Sequence, residues 1–204
     1  HHHHHRAGRR KKILRRVVAV VGFLISLTTS VVFLAWLILR PTKPQFVLQD
    51  LAVRAFNLTA GNFLTAAVQA TVSARNPNGR LGIYYDRLDI SLAYHSQQIT
   101  PGTQLSGGYQ GHKDITVWSP LLYGSAVPVA PYLAAGLSQD LIAGAVAINI
   151  KLDGRIRWKL GTFITGKYHL YVNCPAYVDF GTKNIPGAAA GVKYRTGLNC
   201  NVDV

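Results

Sequence analysis

The chain of 204 residues contains no methionine and no glutamate. All eight acids are aspartates, set against 22 lysines and arginines. The missing glutamate removes half of the usual carboxylate chemistry, including any His-Glu-x-x-His metal helix. Cysteine occurs only at Cys174 and Cys200. Two thiols without paired histidines nearby cannot complete a four-ligand zinc site. Gly-x-Ser-x-Gly elbows and phosphate-binding loops are also missing. Beyond the start, the histidines are the scattered His95, His112 and His169. His112-Lys113-Asp114 offers no acid–base pair on a strand, where neighbours face opposite ways. The residues point away from catalysis, and no cofactor or metal is expected. With methionine absent, the sequence is expected to begin after its initiator. His1–His5 then reads as a tag remnant or a flexible histidine-rich tail without a function.

Charge is also missing from one long run. Val17 to Leu39 holds 23 residues without an ionisable side chain. About 20 apolar residues at ~1.5 Å rise each span the ~30 Å hydrocarbon core of a bilayer. The run's hydroxyl residues, Ser26, Thr28, Thr29 and Ser30, can bond back to carbonyls one turn earlier. Hydroxyl residues also let membrane helices approach closely, so these four mark an expected helix-packing face and a homo-oligomer. Before the run stand Arg6, Arg9, Arg10, Lys11, Lys12, Arg15 and Arg16; soon after it stand only Arg40 and Lys43. The positive-inside rule then predicts a cytosolic tail over 1–16 and an uncleaved signal anchor over 17–39. A Pro-rich hinge follows over 40–45, and an extracytosolic domain over 46–204. A cleaved signal peptide would need a shorter apolar stretch and a small-x-small site, which Trp36 to Pro41 does not offer. Residues 1–40 carry +8 of the formal +14. Such a cluster beside a span acts as a topology signal and a lipid attractant, and no nucleic-acid partner is expected.

The domain's pattern is mostly period two. Runs at 68–74, 88–94, 146–152, 156–160 and 168–174 alternate apolar and polar residues, as strands with one buried face do. Phe46–Phe56 and Ile115–Trp118 add strands. Asn76-Pro77-Asn78-Gly79, Pro101-Gly102, Gly107-Gly108 and Gly161 read as turns, and Asp153-Gly154 between apolar runs reads as a type I′ hairpin. The Ala- and Leu-rich stretch Ala130–Ile142 predicts one helix. The expected fold class is mainly β: a single N-terminal transmembrane helix, then an antiparallel β-sandwich of the fibronectin-III or immunoglobulin kind with one short helix.

Three features carry chemistry. Cys174 and Cys200 are expected to form a disulfide in an oxidising compartment, with two buried free thiols as the alternative. Asn57-Leu58-Thr59 is a glycosylation sequon. Arg155, Arg157 and Lys159 put three cations on one strand face, ~6.8 Å apart in succession. They read either as a comb for anionic partners or as a solvated face that protects an edge.

Several blocks together resemble a known family. Arg75-Asn76-Pro77-Asn78 precedes Leu81-Gly82-Ile83-Tyr84-Tyr85-Asp86. Val117-Trp118-Ser119-Pro120, Arg157-Trp158-Lys159-Leu160-Gly161, Tyr168-His169-Leu170 and Cys174-Pro175 follow in order. With Arg40-Pro41-Thr42-Lys43-Pro44, they resemble the plant harpin-induced-like family, which carries the late-embryogenesis-abundant group 2 (water-stress and hypersensitive-response) domain. The resemblance covers roughly residues 31 to 204. It implies a β-sandwich on a type II single-pass anchor at the plant plasma membrane, associated with defence, hypersensitive cell death and abiotic stress. It carries no catalytic residues. The expected partners are membrane lipids around the helix and a protein or cell-wall partner outside. A tethered lipid-binding module is the alternative. Asn-Pro-Asn-Gly is expected to act as a turn using αL residues, with Tyr84, Tyr85 and Trp118 capping the core, polar ends outward. A sugar-binding aromatic platform is the sharper reading of the same aromatics.

Overall fold

The computed structural model describes residues 3–180 and 198–204, with the side chains of 3–10, 38, 39 and 198 left aside. Of the tract His1–His5, His1 and His2 fall outside what is described, and the backbone of the other three opens the first helix. The chain divides into two units, one reaching Arg40 and the other Pro41–Val204.

The first unit is α1, His3–Leu39. By length and composition, its Lys11–Leu37 portion is long and apolar enough to cross a membrane. Its apolar side chains are exposed on all sides. Three of the four hydroxyl residues bond back as expected. Thr28 Oγ1 donates to the carbonyls of Leu24 and Ile25, Thr29 Oγ1 to those of Ile25 and Ser26, and Ser30 Oγ to that of Ser26.

The second unit is mainly β. It opens with three long strands, β1 (Gln45–Leu58), β2 (Phe63–Arg75) and β3 (Gly82–Tyr94). Short strands follow: β4 (Gln97–Gln98), β5 (Thr103–Gln104), β6 (Gly108–Gln110), β7 (Ile115–Trp118) and β8 (Leu121–Pro128). Helix α2 (Pro131–Ala143) leads into β9 (Ala145–Leu160), β10 (Phe163–Ile164), β11 (Tyr168–Asp179), β12 (Leu198–Asn199) and β13 (Asn201–Asp203). The smaller sheet runs β12-β1-β2-β7, with β8 also on β2. The larger runs β13-β11-β9-β3-β4, with β10 on β9 and β5 and β6 on β3. All pairings are antiparallel. The inner faces meet in one core that includes Phe46, Leu51, Leu64, Val68, Ile83, Ile90, Leu92, Ile150 and Leu152. Phe46, Tyr85 and Trp118 pack ring against ring at one end of it.

Helix α2 lies within a residue of its expected bounds. Pro131 pre-sets its first turn, and Gly144 ends it in the left-handed conformation at φ 85°. Ala134 and Leu137 face the core.

Two turn expectations are corrected. Asp153-Gly154 is not a hairpin: both residues lie inside β9, opposite Tyr171-Leu170 on β11 and Asp89-Leu88 on β3. A Cβ at Gly154 would meet the Arg87 carbonyl oxygen and the Leu88 side chain. β3 carries a register shift between Tyr85 and Arg87, which brings its backbone close to β9 there. The glycine serves close strand approach beside a bulge. At Asn76-Pro77-Asn78-Gly79, neither Asn78 nor Gly79 takes a positive φ. The asparagines act through their side chains instead. Asn76, fully buried, donates from Nδ2 to the carbonyls of Leu81 (2.7 Å) and Gly111 (2.9 Å). Its Oδ1 accepts from the backbone and side-chain nitrogens of Asn78. Asn78 clasps Thr42 through both backbone groups: Oδ1 accepts from Thr42 N at 2.9 Å, and Nδ2 donates to Thr42 O at 2.8 Å. The motif thus fastens the segment that enters the domain.

Cys174 and Cys200 are joined by a disulfide, with Cα atoms 4.4 Å apart. Cys200 sits where the chain leaves β12 in the smaller sheet and enters β13 in the larger. The bridge therefore ties both sheets at that crossing. Closing a separation of 26 residues stabilises a fold by roughly 3–3.5 kcal/mol in the loop-entropy model.

Candidate contact face on the larger sheet

The outer face of the larger sheet carries exposed rings, cations and amides. Alternation along β3 splits the Tyr-Tyr pair: Tyr84 points out and Tyr85 into the core. The expectation that both would keep their polar ends at the surface fails for Tyr85. Its hydroxyl donates to Gln110 Oε1 at 3.0 Å inside the domain. Burial pushes the Tyr85 phenol well above its ordinary range. Gln110, also buried, donates onward to the carbonyls of Ala74 and Asp114. Trp118 is buried too, with Nε1 donating to the Ser106 carbonyl.

Outside, Tyr84 and Tyr109 pack with ring centroids 4.9 Å apart. Lys159 Nζ lies 5.6 Å from the Tyr84 ring and 5.0 Å from the Tyr109 ring. Arg157 Cζ lies 5.5 Å from the Tyr84 ring, in cation–π range. Arg157 also grips Asp86 Oδ1 through Nη2 (2.6 Å) and Nε (2.9 Å). Asp86 Oδ2 is buried, with the Lys167 ammonium 3.8 Å away. Arg155, Arg157 and Lys159 therefore do not form an unpartnered comb. Arg157 is committed to Asp86 and Lys159 to two rings; Arg155 is exposed between Arg87 and His169 in register. Sequence spacing placed the three on one face but could not reveal partners from β3 and β6.

Farther along the face lies a cleft of about 470 Å³ lined by Ser91, Gln98, Lys151, Asp153, Tyr171, Asn173 and neighbours on β13. Tyr171 stacks on His169 at 4.5 Å, and His169 Nε2 lies 3.5 Å from Asp153 Oδ1. The lining combines amides, carboxylates, an ammonium and an exposed ring with the apolar Leu152 and Val172. Periodicity alone could not locate this cleft, because β13 reaches it only after the chain changes sheets. Among the described residues, no three His, Cys, Asp or Glu side chains gather as a metal site.

Asn57 is exposed near the end of β1. Its sequon partner Thr59 uses its hydroxyl to close the β1–β2 turn against Phe63.

The family model described as Late embryogenesis abundant protein matches residues 71–174. "NDR1/HIN1-like protein 1" of Arabidopsis thaliana is 51% identical over 187 residues, covering 89% of this chain and 88% of that protein. "NDR1/HIN1-like protein 12" of the same plant is 48% identical, covering 91% of this chain and 89% of that protein. The solution structure of a late embryogenesis abundant (LEA) protein aligns with a TM-score of 0.34 at 20% identity, covering 88% of this chain and 94% of that one. The chain belongs to the late embryogenesis abundant group 2 family, among its NDR1/HIN1-like members.

Proposed function

We propose that this chain is a non-enzymatic, single-pass type II protein of the plant plasma membrane. It serves stress and defence through protein or cell-wall contacts of its extracytosolic sandwich. The observation that carries the reading is the outer face of the larger sheet. There exposed tyrosines, cations and amides stand together. Aromatic rings with adjoining hydrogen-bonding groups recognise partners rather than transform them. Family membership supports the stress and defence role. The charge asymmetry around α1 supports the orientation.

The test compares crosslinked neighbours captured from plant membranes by the full chain and by a Tyr109→Ala, Tyr171→Ala variant. The variant is expected to lose specific neighbours at unchanged membrane abundance. An identical neighbour set would overturn the role of this face. Helix association is the second part of the proposal. Changing Ser26, Thr28, Thr29 and Ser30 to leucine is expected to lower the crosslinked homo-oligomer; an unchanged yield would remove α1 from assembly.

A further inference from the structure

Alternation and register lay out the outer face of the larger sheet in cross-strand rows. Ser91, Lys151, Asn173 and Asn201 form one row over β3, β9, β11 and β13. Asp89, Asp153, Tyr171 and Asp203 form the next, ~6.8 Å farther along the strands. Adjacent strands lie ~4.8 Å apart, so each row crosses about 14 Å. The cleft of about 470 Å³ is lined by both rows except Asp89, and by Gln98 of β4. Its volume falls in the ~300–1,000 Å³ range of small-ligand sites. Leu152 and Val172 also border it, but both side chains are turned into the core. Among the described lining residues, the Tyr171 ring is therefore the large apolar surface that a ligand would meet.

Other cations of this face are already engaged. Arg157 and Lys167 meet Asp86, Arg87 meets Asp89, and Lys159 lies over the rings of Tyr84 and Tyr109. The first row differs: Ser91, Lys151, Asn173 and Asn201 make no side-chain hydrogen bond or ion pair with the other described residues. Gln98 donates from Nε2 to the Thr100 carbonyl, leaving Oε1 as an acceptor toward the cleft. A sugar hydroxyl both donates and accepts, and this lining supplies both halves: ammonium and amide N–H groups beside carboxylate, amide and hydroxyl oxygens. Tyr171 supplies the rest. His169 covers one side of its ring at 4.5 Å, yet the residue stays 55% exposed. The C–H face of a sugar ring packs on the negative face of such an aromatic. Charge narrows the class. One ammonium, Lys151, stands against two carboxylates, Asp153 and Asp203, so the lining offers no net attraction to a polyanion. A peptide would anchor through apolar side chains in pockets, and Leu152 and Val172 offer none.

We propose that this cleft binds a neutral polysaccharide chain. One sugar ring packs on Tyr171, and the hydroxyls of that ring and its neighbours bond along the row from Ser91 to Asn201. The inference rests on the reading of this face as a contact surface and names the chemistry of its partner. It also moves the sugar platform. Tyr84, Tyr85 and Trp118 cannot form one together, because Tyr85 and Trp118 are buried. The ring that serves a sugar comes from β11 instead.

The test uses the full chain in lipid nanodiscs, titrated with soluble probes and followed by saturation-transfer NMR. The neutral probes are cellohexaose, xylohexaose and mannohexaose; hexagalacturonate is the anionic one. At least one neutral probe is expected to bind, with its ring C–H protons receiving the strongest transfer, and hexagalacturonate to bind more weakly. Tyr171→Ala is expected to weaken binding at least about fivefold, and Tyr171→Phe to restore it. The double variant Asn173→Ala, Asn201→Ala should weaken it as well. Tyr132→Ala, an exposed tyrosine on α2, is the control and should leave it unchanged. Thermal unfolding of each variant shows that the fold is kept. Preference for hexagalacturonate would overturn the neutral class. Neutral binding that survives both Tyr171→Ala and the asparagine variant would overturn the cleft as its site. Binding of no probe would overturn the inference as a whole. The contact-face reading fails separately, when the neighbours captured in plant membranes do not change with the face.

Discussion

At the scale of single residues, Asn76 does the most with the least. Its amide serves the Leu81 and Gly111 carbonyls and accepts from Asn78, which in turn holds Thr42. Asn76→Ala would leave buried carbonyls without donors, at ~1–3 kcal/mol for each unsatisfied group. A loss of about 3 kcal/mol is expected in urea unfolding of the intact chain; a loss within ~0.5 kcal/mol, the range of an ordinary surface change, would contradict the hub role. Tyr94 gives a pH-dependent counterpart. Burial first, then the hydrogen bond to Asp140 Oδ2 (2.7 Å) and that carboxylate's charge, push its phenol from 10.0 up to about 12. The folded state therefore keeps a proton that the unfolded chain gives up. Its stabilising contribution is complete below pH 10 and is lost as pH rises toward about 12. Thermal unfolding across that window should show stability falling, and Tyr94→Phe should flatten the fall. An equally steep fall in the variant would assign the effect to other groups.

At the scale of elements, period two and a proline–glycine bracket made most strands and α2 readable. Local patterns report which face of a strand is buried. They do not report which strand lies beside it. Asp153-Gly154 shows the difference. A glycine flanked by alternating runs has the same local pattern in a hairpin and in a long strand pressed by a bulged neighbour. Only the β3 register distinguishes them. The cation row on β9 was legible for the same reason its partners were not: Asp86, Tyr84 and Tyr109 come from β3 and β6. Gly154→Ala tests the close approach. The new methyl would meet the Arg87 carbonyl oxygen and Leu88 Cα at 3.1 Å. Overpacking of this kind costs about 1–3 kcal/mol. Gly166→Ala is the control, because a methyl there meets nothing within 4 Å. A loss confined to Gly154→Ala in thermal unfolding is expected; equal effects at both glycines would refute the bulge account.

At the scale of the whole molecule, orientation and shape can be read together through Asn57. β1 runs from the chain entry at Gln45 to Leu58, so the sequon lies at the end of the sandwich opposite Phe163. Sequence alone offered the sequon and the charge bias around α1, but not this separation, which depends on which strands share an end. If α1 is a type II anchor, Asn57 faces the secretory lumen during synthesis, on an exposed part of β1. A glycan there would sit on β1 of the smaller sheet, apart from the contact face of the larger. The expected outcome in plant cells is a slower-migrating chain that glycosidase treatment converts to the migration of Asn57→Gln and Thr59→Ala. Protease protection of the domain in sealed microsomes separates the two ways this can fail. A protected domain without a glycan would mean only that the sequon goes unused. A domain digested from the cytosolic side would reverse the orientation, and with it the assignment of the contact face to the outside of the cell.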